Sequence, residues 1–321
     1  MTNVSIIIPN FNGEKFLPDC LNSLLTAIKN CPSIKFEIIL VDNASSDNSI
    51  KIFNQYFLNS KILFLDKNYG FAQAVNQGID ASTSDWILVC NNDLKTSPYW
   101  LSIITKAINN NSDPKLAAIT GTILNYSGTD IESQGLKYYP YGKCTNLNNH
   151  KKVTPKFLRQ IKTLPSKYIW GASAALTLYN RKILKKSGKF DNDFFAYEED
   201  VDLAIRLQHL RYRTLYVPGA VCYHLGGGTS NKMGNFRSMM DAKNWIYIII
   251  KNYSKKEIFL NLFPIIIERL RNLSGLIKHT PKTKMIPTIV KTYQPVFKNF
   301  RLMIQKRKQI NSLYSLLQDK T

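Results

Sequence analysis

Four apolar runs in the first hundred residues each end in a short polar cluster. VSIIIP (4–9) leads into Pro9-Asn10-Phe11-Asn12-Gly13, and FEIILV (36–41) into Asp42-Asn43-Ala44-Ser45-Ser46-Asp47. Ile62–Leu65 leads into Asp66-Lys67-Asn68-Tyr69-Gly70-Phe71, and WILVC (86–90) into Asn91-Asn92-Asp93. One such cluster alone has the composition of an ordinary turn. Four in register are better explained by a shared ligand, because open α/β sheets bind ligands beyond the carboxyl ends of their strands. Phe11 could stack on a base, Asp42 could accept the imide hydrogen of uracil or thymine, and a helix opening near Phe71 could offer its positive end to phosphate. No GxGxxG follows the first run and no GxxxxGK[ST] occurs, which leaves dinucleotide oxidoreductase and P-loop NTPase readings without support.

Further along, Glu198-Glu199-Asp200-Val201-Asp202 opens a helical stretch. Acidic residues crowd helix N-termini because the macrodipole favours them, so at least one is expected to cap; repulsion between neighbours would also raise the pKa of a carboxylate serving as a base. Gly171, in WGASAA, suits either a close approach of backbone to a ligand or tight packing between strands. Trp170 could stack on a sugar or fill the core, and Gly226–Ser230 could form a closing loop or an ordinary linker.

The elements that must position these residues alternate. Helical spacing at Leu17–Ile28, Ile50–Phe57 and Phe71–Ala81 separates the apolar strands, which predicts an α/β layer with a mainly parallel sheet. Gly121–Ser166 is expected to be an irregular excursion over the sheet edge. Beyond it a strand is predicted at Ile169–Leu178, a helix at Val201–Leu210, and two short strands at Thr214–Val217 and Ala220–Tyr223.

At 321 residues, 44% apolar and 20% charged, the chain can bury a large core, so disorder is excluded as the main state. The five cysteines are scattered with no CxxC, which argues against a zinc knuckle or a disulfide framework and for a reducing compartment. MTNVSIII lacks the basic region of a signal peptide, and no apolar run approaches a membrane span, so a cytoplasmic location is expected. The net charge of +21 is uneven: residues 226–321 hold 18 basic and 4 acidic side chains. Within this tail, Ile258–Ile267 is a 10-residue uncharged run among Lys and Arg, suited to lying in the interface of an anionic membrane or to packing on the body or a second copy. Lys306-Arg307-Lys308 has no aromatic recognition motif beside it, so nucleic acid ranks low as a partner.

The series SIIIPNFNG (5–13), ILVDNASSDNS (39–49), NYGFAQAVNQG (68–78), VCNNDL (89–94), GASAALTLYNR (171–181), FFAYEEDVDLAIRL (194–207) and YVPGAVCYHLGGGTS (216–230) resembles family 2 glycosyltransferases of the GT-A fold, in the branch of bacterial rhamnosyltransferases. The resemblance implies a catalytic domain over 1–228, with a nucleotide-binding half (about 1–120) and an acceptor half (121–228), followed by a basic helical region over 229–321. It further implies inverting transfer from a dTDP- or UDP-linked sugar, L-rhamnose being one candidate, to a saccharide acceptor carried on a polyprenyl diphosphate. Mg²⁺ or Mn²⁺ would sit on the donor diphosphate. Asn91-Asn92-Asp93 stands where the family has Asp-x-Asp, which makes Asp93 a metal ligand, joined by His224, and turns Asn91 or Asn92 to the ribose or sugar. Asp200 is the implied general base and Glu199 the alternative. Pro9, Asn10, Phe11, Asn12, Asp42, Asn43, Asn68, Gly70, Phe71, Asn76 and Gly171 complete the implied donor site. Such an enzyme would work at the inner face of the cytoplasmic membrane, with a homo-oligomer open. The rival expectation is an inactive scaffold of the same fold, or a basic nucleic-acid-binding protein, motivated by the charge and the single carboxylate at 91–93.

Overall fold

The computed structural model describes residues 3–226 and 234–318. The chain opens β1 (Asn3–Asn10), α1 (Leu17–Lys29), β2 (Lys35–Asp42), α2 (Ser49–Tyr56), β3 (Lys61–Phe64), α3 (Gly70–Ala81), β4 (Trp86–Cys90). It continues β5 (Leu94–Thr96), α4 (Trp100–Asn109), β6 (Leu116–Asn125), β7 (Ile131–Ser133), β8 (Leu136–Tyr139), β9 (Lys143–Asn146), α5 (Pro155–Ile161) and β10 (Lys167–Ile169). Then come β11 (Leu176–Asn180), α6 (Arg181–Lys186), α7 (Glu199–His209), β12 (Arg213–His224), α8 (Phe236–Asn252), α9 (Lys255–Leu260), α10 (Leu262–Lys278) and α11 (Met285–Gln318).

The main sheet runs β10-β12-β6-β11-β4-β1-β2-β3. Its β4-β1-β2-β3 half is parallel throughout, β6 and β12 are parallel to each other, and β11 lies antiparallel between β6 and β4. Both faces are covered, which is why strand centres such as residues 6–8, 38–41 and 87–89 are continuous apolar runs rather than alternating ones. In β1, Val4, Ile6 and Ile8 point into a core shared with α1, α2 and α4, while Ile7 points into a second core with α3, α6 and α7. The α/β architecture with a largely parallel centre agrees with the expectation from sequence.

Three expected elements differ. The strand anticipated over 169–178 is two, β10 and β11, because Trp170–Ala175 leaves the sheet; a Cβ on Gly171 would lie 2.8 Å from the Ala204 Cβ, so this glycine lets the segment cross close over α7. The two short strands expected at 214–217 and 220–223 are one, β12, whose register shifts between Tyr216 and Val221 around Pro218-Gly219. Gly121–Ser166 is not an irregular excursion: β6 carries on through Gly121, where a Cβ would meet the bulged Ala220 carbonyl at 1.9 Å, and β7, β8, β9 and α5 follow.

The basic C-terminal helices pack on the body. Trp245, Tyr247 and Ile248 of α8, Ile265 of α10, and Val296 and Met303 of α11 share a core with Val201, Ala204 and Ile205 of α7. A buried ionic cluster joins the same elements. Lys251 Nζ lies 2.6 Å from Asp191 Oδ2 and 2.8 Å from Asp202 Oδ2, and Arg206 Nε donates to Asp202 Oδ2 at 3.0 Å. Lys306 of α11 reaches Asp193 Oδ2 at 2.7 Å and also pairs with Asp191. Burial opposes the charge on Asp202 and on Asp191. The cations (Lys251 and Arg206 for the first, Lys251 and Lys306 for the second) more than offset it and hold both carboxyls below the ordinary range. Depressed carboxylate pKa values contribute stability that is fully present above the unfolded-state value and lost as pH falls through the folded one. Lys251→Met should therefore cost about 3 kcal/mol at pH 7, because it takes the shared cation from two buried carboxylates and leaves Asp202 only Arg206 and Asp191 only Lys306. In urea unfolding the deficit should begin to shrink below about pH 4, the unfolded carboxylate value, and should close only at the lower pH where the folded carboxyls themselves protonate.

Candidate active site

The four strand-end clusters do converge, with Asn10 as their junction. Its side chain is 1% exposed. Asn10 Nδ2 donates to Asp42 Oδ1 and to Ser45 Oγ, each at 3.1 Å, and its Oδ1 accepts from Asn92 Nδ2 at 2.8 Å. Asn43 spans to the third cluster: its Nδ2 donates to the Gly70 carbonyl at 2.9 Å and its Oδ1 accepts from Tyr69 N at 2.9 Å. The ends of β1, β2, β3 and β4 are thus tied by side chains that the backbone ladders leave over.

Above this floor lies a cleft of about 740 Å³. Pro9, Asn10, Phe11, Asn43, Asn68, Gly70, Phe71, Asn91, Asn92 and Asp93 line one side, and Glu198, Glu199, Asp200 and His224 line it as well. The far wall comes from Leu136 and Cys144–Asn146 of the β8–β9 hairpin, with Asn149 and His150 beyond it. Asn12, Asp42, Asn76 and Gly171, expected at the donor site, are not among the lining residues. Asp42 stands one layer back, with Oδ1 accepting from Asn10 Nδ2 at 3.1 Å and Oδ2 from Ser45 N at 3.0 Å. Asn12 latches two loops, its Oδ1 accepting from Ser46 N at 2.8 Å. Asn76 holds the approach to α7 through the Phe190 carbonyl and Asn192 Oδ1, both at 2.7 Å. Gly171 is a packing position against Ala204, and Trp170 stacks on Tyr138 with centroids 4.6 Å apart. Of Gly226–Ser230 only Gly226 belongs to the described residues, and it lines the cleft.

Two charged groupings face the cleft. At the end of β4, Asp93 Oδ1 lies 3.0 Å from His224 Nε2, and His224 Nδ1 lies 2.6 Å from Glu132 Oε1. Burial disfavours the imidazolium, yet the two carboxylates push its pKa up to about 10. Glu132 carried no signal in the sequence, because it sits in a short strand with no motif around it. At the start of α7, Asp200 Oδ2 accepts from Ala174 N at 3.1 Å and Oδ1 from Val201 N at 2.8 Å. Burial raises the Asp200 pKa and these amides draw it only part of the way back. Glu199, 7% exposed, is raised well above the carboxylate range by burial and then by Asp200, and its Oε2 has no hydrogen-bond partner among the described residues.

Five carboxyl groups line the described cleft beside the Arg237 guanidinium and the His224 imidazolium; burial holds Glu198 and Glu199 well above the carboxylate range, so the cleft does not present five negative charges to a diphosphate. Among the described residues no three His, Cys, Asp or Glu side chains form a metal cage. A hard cation completing its shell with ligand oxygens needs fewer protein donors. The Asp93 carboxylate and a buried Asn91 Oδ1 with no hydrogen-bond partner among the described residues fit that partial donor set, and His224 Nε2 would join them once an entering cation displaced its proton.

The sequence profile described as Glycosyl transferase family 2 matches residues 5–188. The chain belongs to that family. It is similar to poly-beta-1,6-N-acetyl-D-glucosamine synthase of Staphylococcus aureus (28% identical over 234 residues, 68% of this chain and 52% of the relative), so it spans about half the length of the curated relatives it matches. Among solved structures it resembles S. aureus TarS 1–349 in complex with UDP-GlcNAc (TM-score 0.55, 15% identity, 98% of this chain and 92% of the other). It also resembles the mannosyltransferase PcManGT of Pyrobaculum calidifontis with GDP-Man and Mn²⁺ (TM-score 0.53, 13% identity, 98% and 86%). These neighbours share the GT-A fold.

Gly70 joins the two halves of the cleft. It has φ +84°, and a Cβ there would meet the Phe195 carbonyl at 2.3 Å. Gly70→Ala should destabilise the protein by about 2 kcal/mol or more through left-handed strain plus the clash. It should also displace the segment entering α7, which thermal unfolding together with a nucleotide-binding titration would register as losses in both.

Proposed function

We propose that the protein transfers a sugar from a nucleoside-diphosphate sugar to a saccharide hydroxyl of a bacterial surface glycan, with inversion, Asp200 acting as general base. The observation that carries this reading is Asp200 itself: a half-buried carboxylate with a raised pKa, aimed by two backbone amides into the same cleft as Asp93 and His224. Asp200 takes the proton of the acceptor hydroxyl as its oxygen bonds to the anomeric carbon, and the diphosphate leaves with the bonding pair. Asp93, His224 and Asn91 would hold a divalent cation, which supplies charge stabilisation to the leaving diphosphate. Asn10, Phe11, Asn43 and Asn68 would seat the nucleoside, and the 144–150 wall would meet the acceptor. The donor classes favoured are UDP-GlcNAc, which TarS binds and whose sugar the S. aureus synthase is named for, and dTDP-L-rhamnose, by the motif series.

Hydrolysis of these two donors with Mn²⁺, in which water replaces the acceptor, is the direct assay. Asp200→Ala and Asp93→Ala should each abolish turnover, Asp200→Ala retaining donor affinity. The acid limb of the parent rate profile should lie above the ordinary carboxylate pKa of about 4, because the base must be ionised and burial raises it. Near-parental turnover in Asp200→Ala would end the assignment, and no binding of either nucleotide would favour a non-catalytic scaffold.

The same reading places the enzyme on an anionic bilayer that presents a polyprenyl-linked acceptor. Phe259 (79% exposed) and Phe263 (74%) stand out from α9 and α10 beside Leu260, Leu262, Ile266 and Leu270, with Lys255 and Lys256 exposed next to them. Among the described residues no helix is long and apolar enough to cross a membrane. In co-sedimentation with phosphatidylglycerol vesicles, Phe259→Ser combined with Phe263→Ser should weaken binding at least tenfold, each buried ring being worth about 1.5–3 kcal/mol. Unchanged sedimentation would rule this surface out as the membrane contact.

A further inference from the structure

The turn that delivers Asp200 is made of residues in an unfavourable backbone region. Phe195, Tyr197 and Glu198 have φ of 66°, 67° and 65°, left-handed values that side chains other than Gly and Asn rarely adopt. Glu198 directly precedes α7 and its carbonyl accepts from Asp202 N at 2.9 Å, so the twist of this turn sets where Glu199 and Asp200 point. Such a conformation persists only where its surroundings over-determine it.

One side chain reaches three carbonyls of that turn. Asn244 of α8 is 0% exposed, and its Nδ2 lies 3.1 Å from the Phe194 carbonyl, 2.9 Å from that of Ala196 and 2.7 Å from that of Tyr197. An amide has two N–H groups, so it shares them among three acceptors. Its neighbour Lys243 donates to the Asp193 carbonyl at 3.1 Å. The Asn244 Oδ1 is buried with no hydrogen-bond partner among the described residues. A leucine would fill the same volume without that penalty, so packing alone does not account for an amide here.

We infer that Asn244, backed by Lys243, is a positioning residue for the general base: it fixes the left-handed turn that aims Asp200, from a helix outside the part of the chain that matches the family profile. The inference rests on Asp200 being the base. On the donor side the turn meets only the start of α3 by backbone contact, Gly70 packing against Phe195 and Ala72 N donating to the Phe195 carbonyl at 3.3 Å, whereas the Asn244 amide reaches three of its carbonyls. Loosening the turn from α8 should therefore disturb the base more than the nucleotide seat.

The test is single-turnover hydrolysis of UDP-GlcNAc and dTDP-L-rhamnose by full-length Asn244→Leu, Lys243→Met and Asp200→Asn, with UDP and Mn²⁺ affinity measured on each. Asn244→Leu should lose about 100-fold in rate, the usual effect of a roughly 1 Å misplacement, with nucleotide affinity within about twofold of the parent. Lys243→Met should lose about tenfold, again without an affinity change; it decides the matter if Asn244→Leu does not fold. A rate within about threefold of the parent, while Asp200→Asn is inactive, overturns the inference and leaves the base assignment standing. Rate and affinity falling together show a general structural role and overturn it as well. Turnover by Asp200→Asn removes the base assignment and the inference with it.

Discussion

A carboxylate withdrawn from water keeps its charge only against a cation or a set of N–H donors, and the start of α7 holds one of each kind. Asp202 faces Lys251 and Arg206 and is held below the ordinary range despite full burial, whereas Asp200, two residues earlier, faces backbone amides and stays above it. The opposite shifts divide the labour. Asp202 anchors the helix to α8 and, through Asp191 and Lys306, to α11; Asp200 is left with a proton affinity above that of an ordinary carboxylate, the direction a base requires. Neighbouring carboxylates on one helix turn can therefore do different work because of what surrounds them.

The sheet explains how such a carboxyl comes to line the same cleft as the β4 end. Parallel strands β4, β1, β2 and β3 bring their carboxyl ends to one edge, where Asn10 and Asn43 lock the polar clusters together. Antiparallel β11 then runs beside β4, and the segment before it leaves the sheet so that Ala174 can offer its amide to Asp200. β12 returns parallel to β6 and delivers His224 to Asp93. Interruption of the ladder at Trp170–Ala175 is thus a condition of the site, at a place where regular secondary structure would have consumed the amide that the carboxylate uses.

The parallel half was legible in the sequence because its strands are buried on both faces and its turns carry polar residues at each end. The clusters at 9–13, 68–71 and 91–93, the start of α7 and His224 were legible for a related reason: an abrupt change from apolar to polar marks where a buried element reaches the surface. Asp42 belonged to such a cluster, but whether it meets a ligand or Asn10 depends on side-chain directions that no spacing encodes. The bulge in β12, the continuation of β6 through Gly121 and the break at 170–175 were hidden by Gly and Pro, which punctuate turns and bulges alike. Glu132 and Asn244 were not legible at all. Each acts across a long sequence separation, on His224 and on the turn before α7, and an isolated Glu or Asn carries no period or motif.

If one cleft holds a cation at Asp93 and His224 across from Asp200, diffraction recorded at the manganese absorption edge, from crystals grown with UDP and Mn²⁺, will show it most directly. The expected result is an anomalous peak within coordination distance of an Asp93 oxygen and His224 Nε2, bridged to the diphosphate. A peak at another set of side chains, or UDP seated elsewhere than over Asn10 and Asn43, would contradict it.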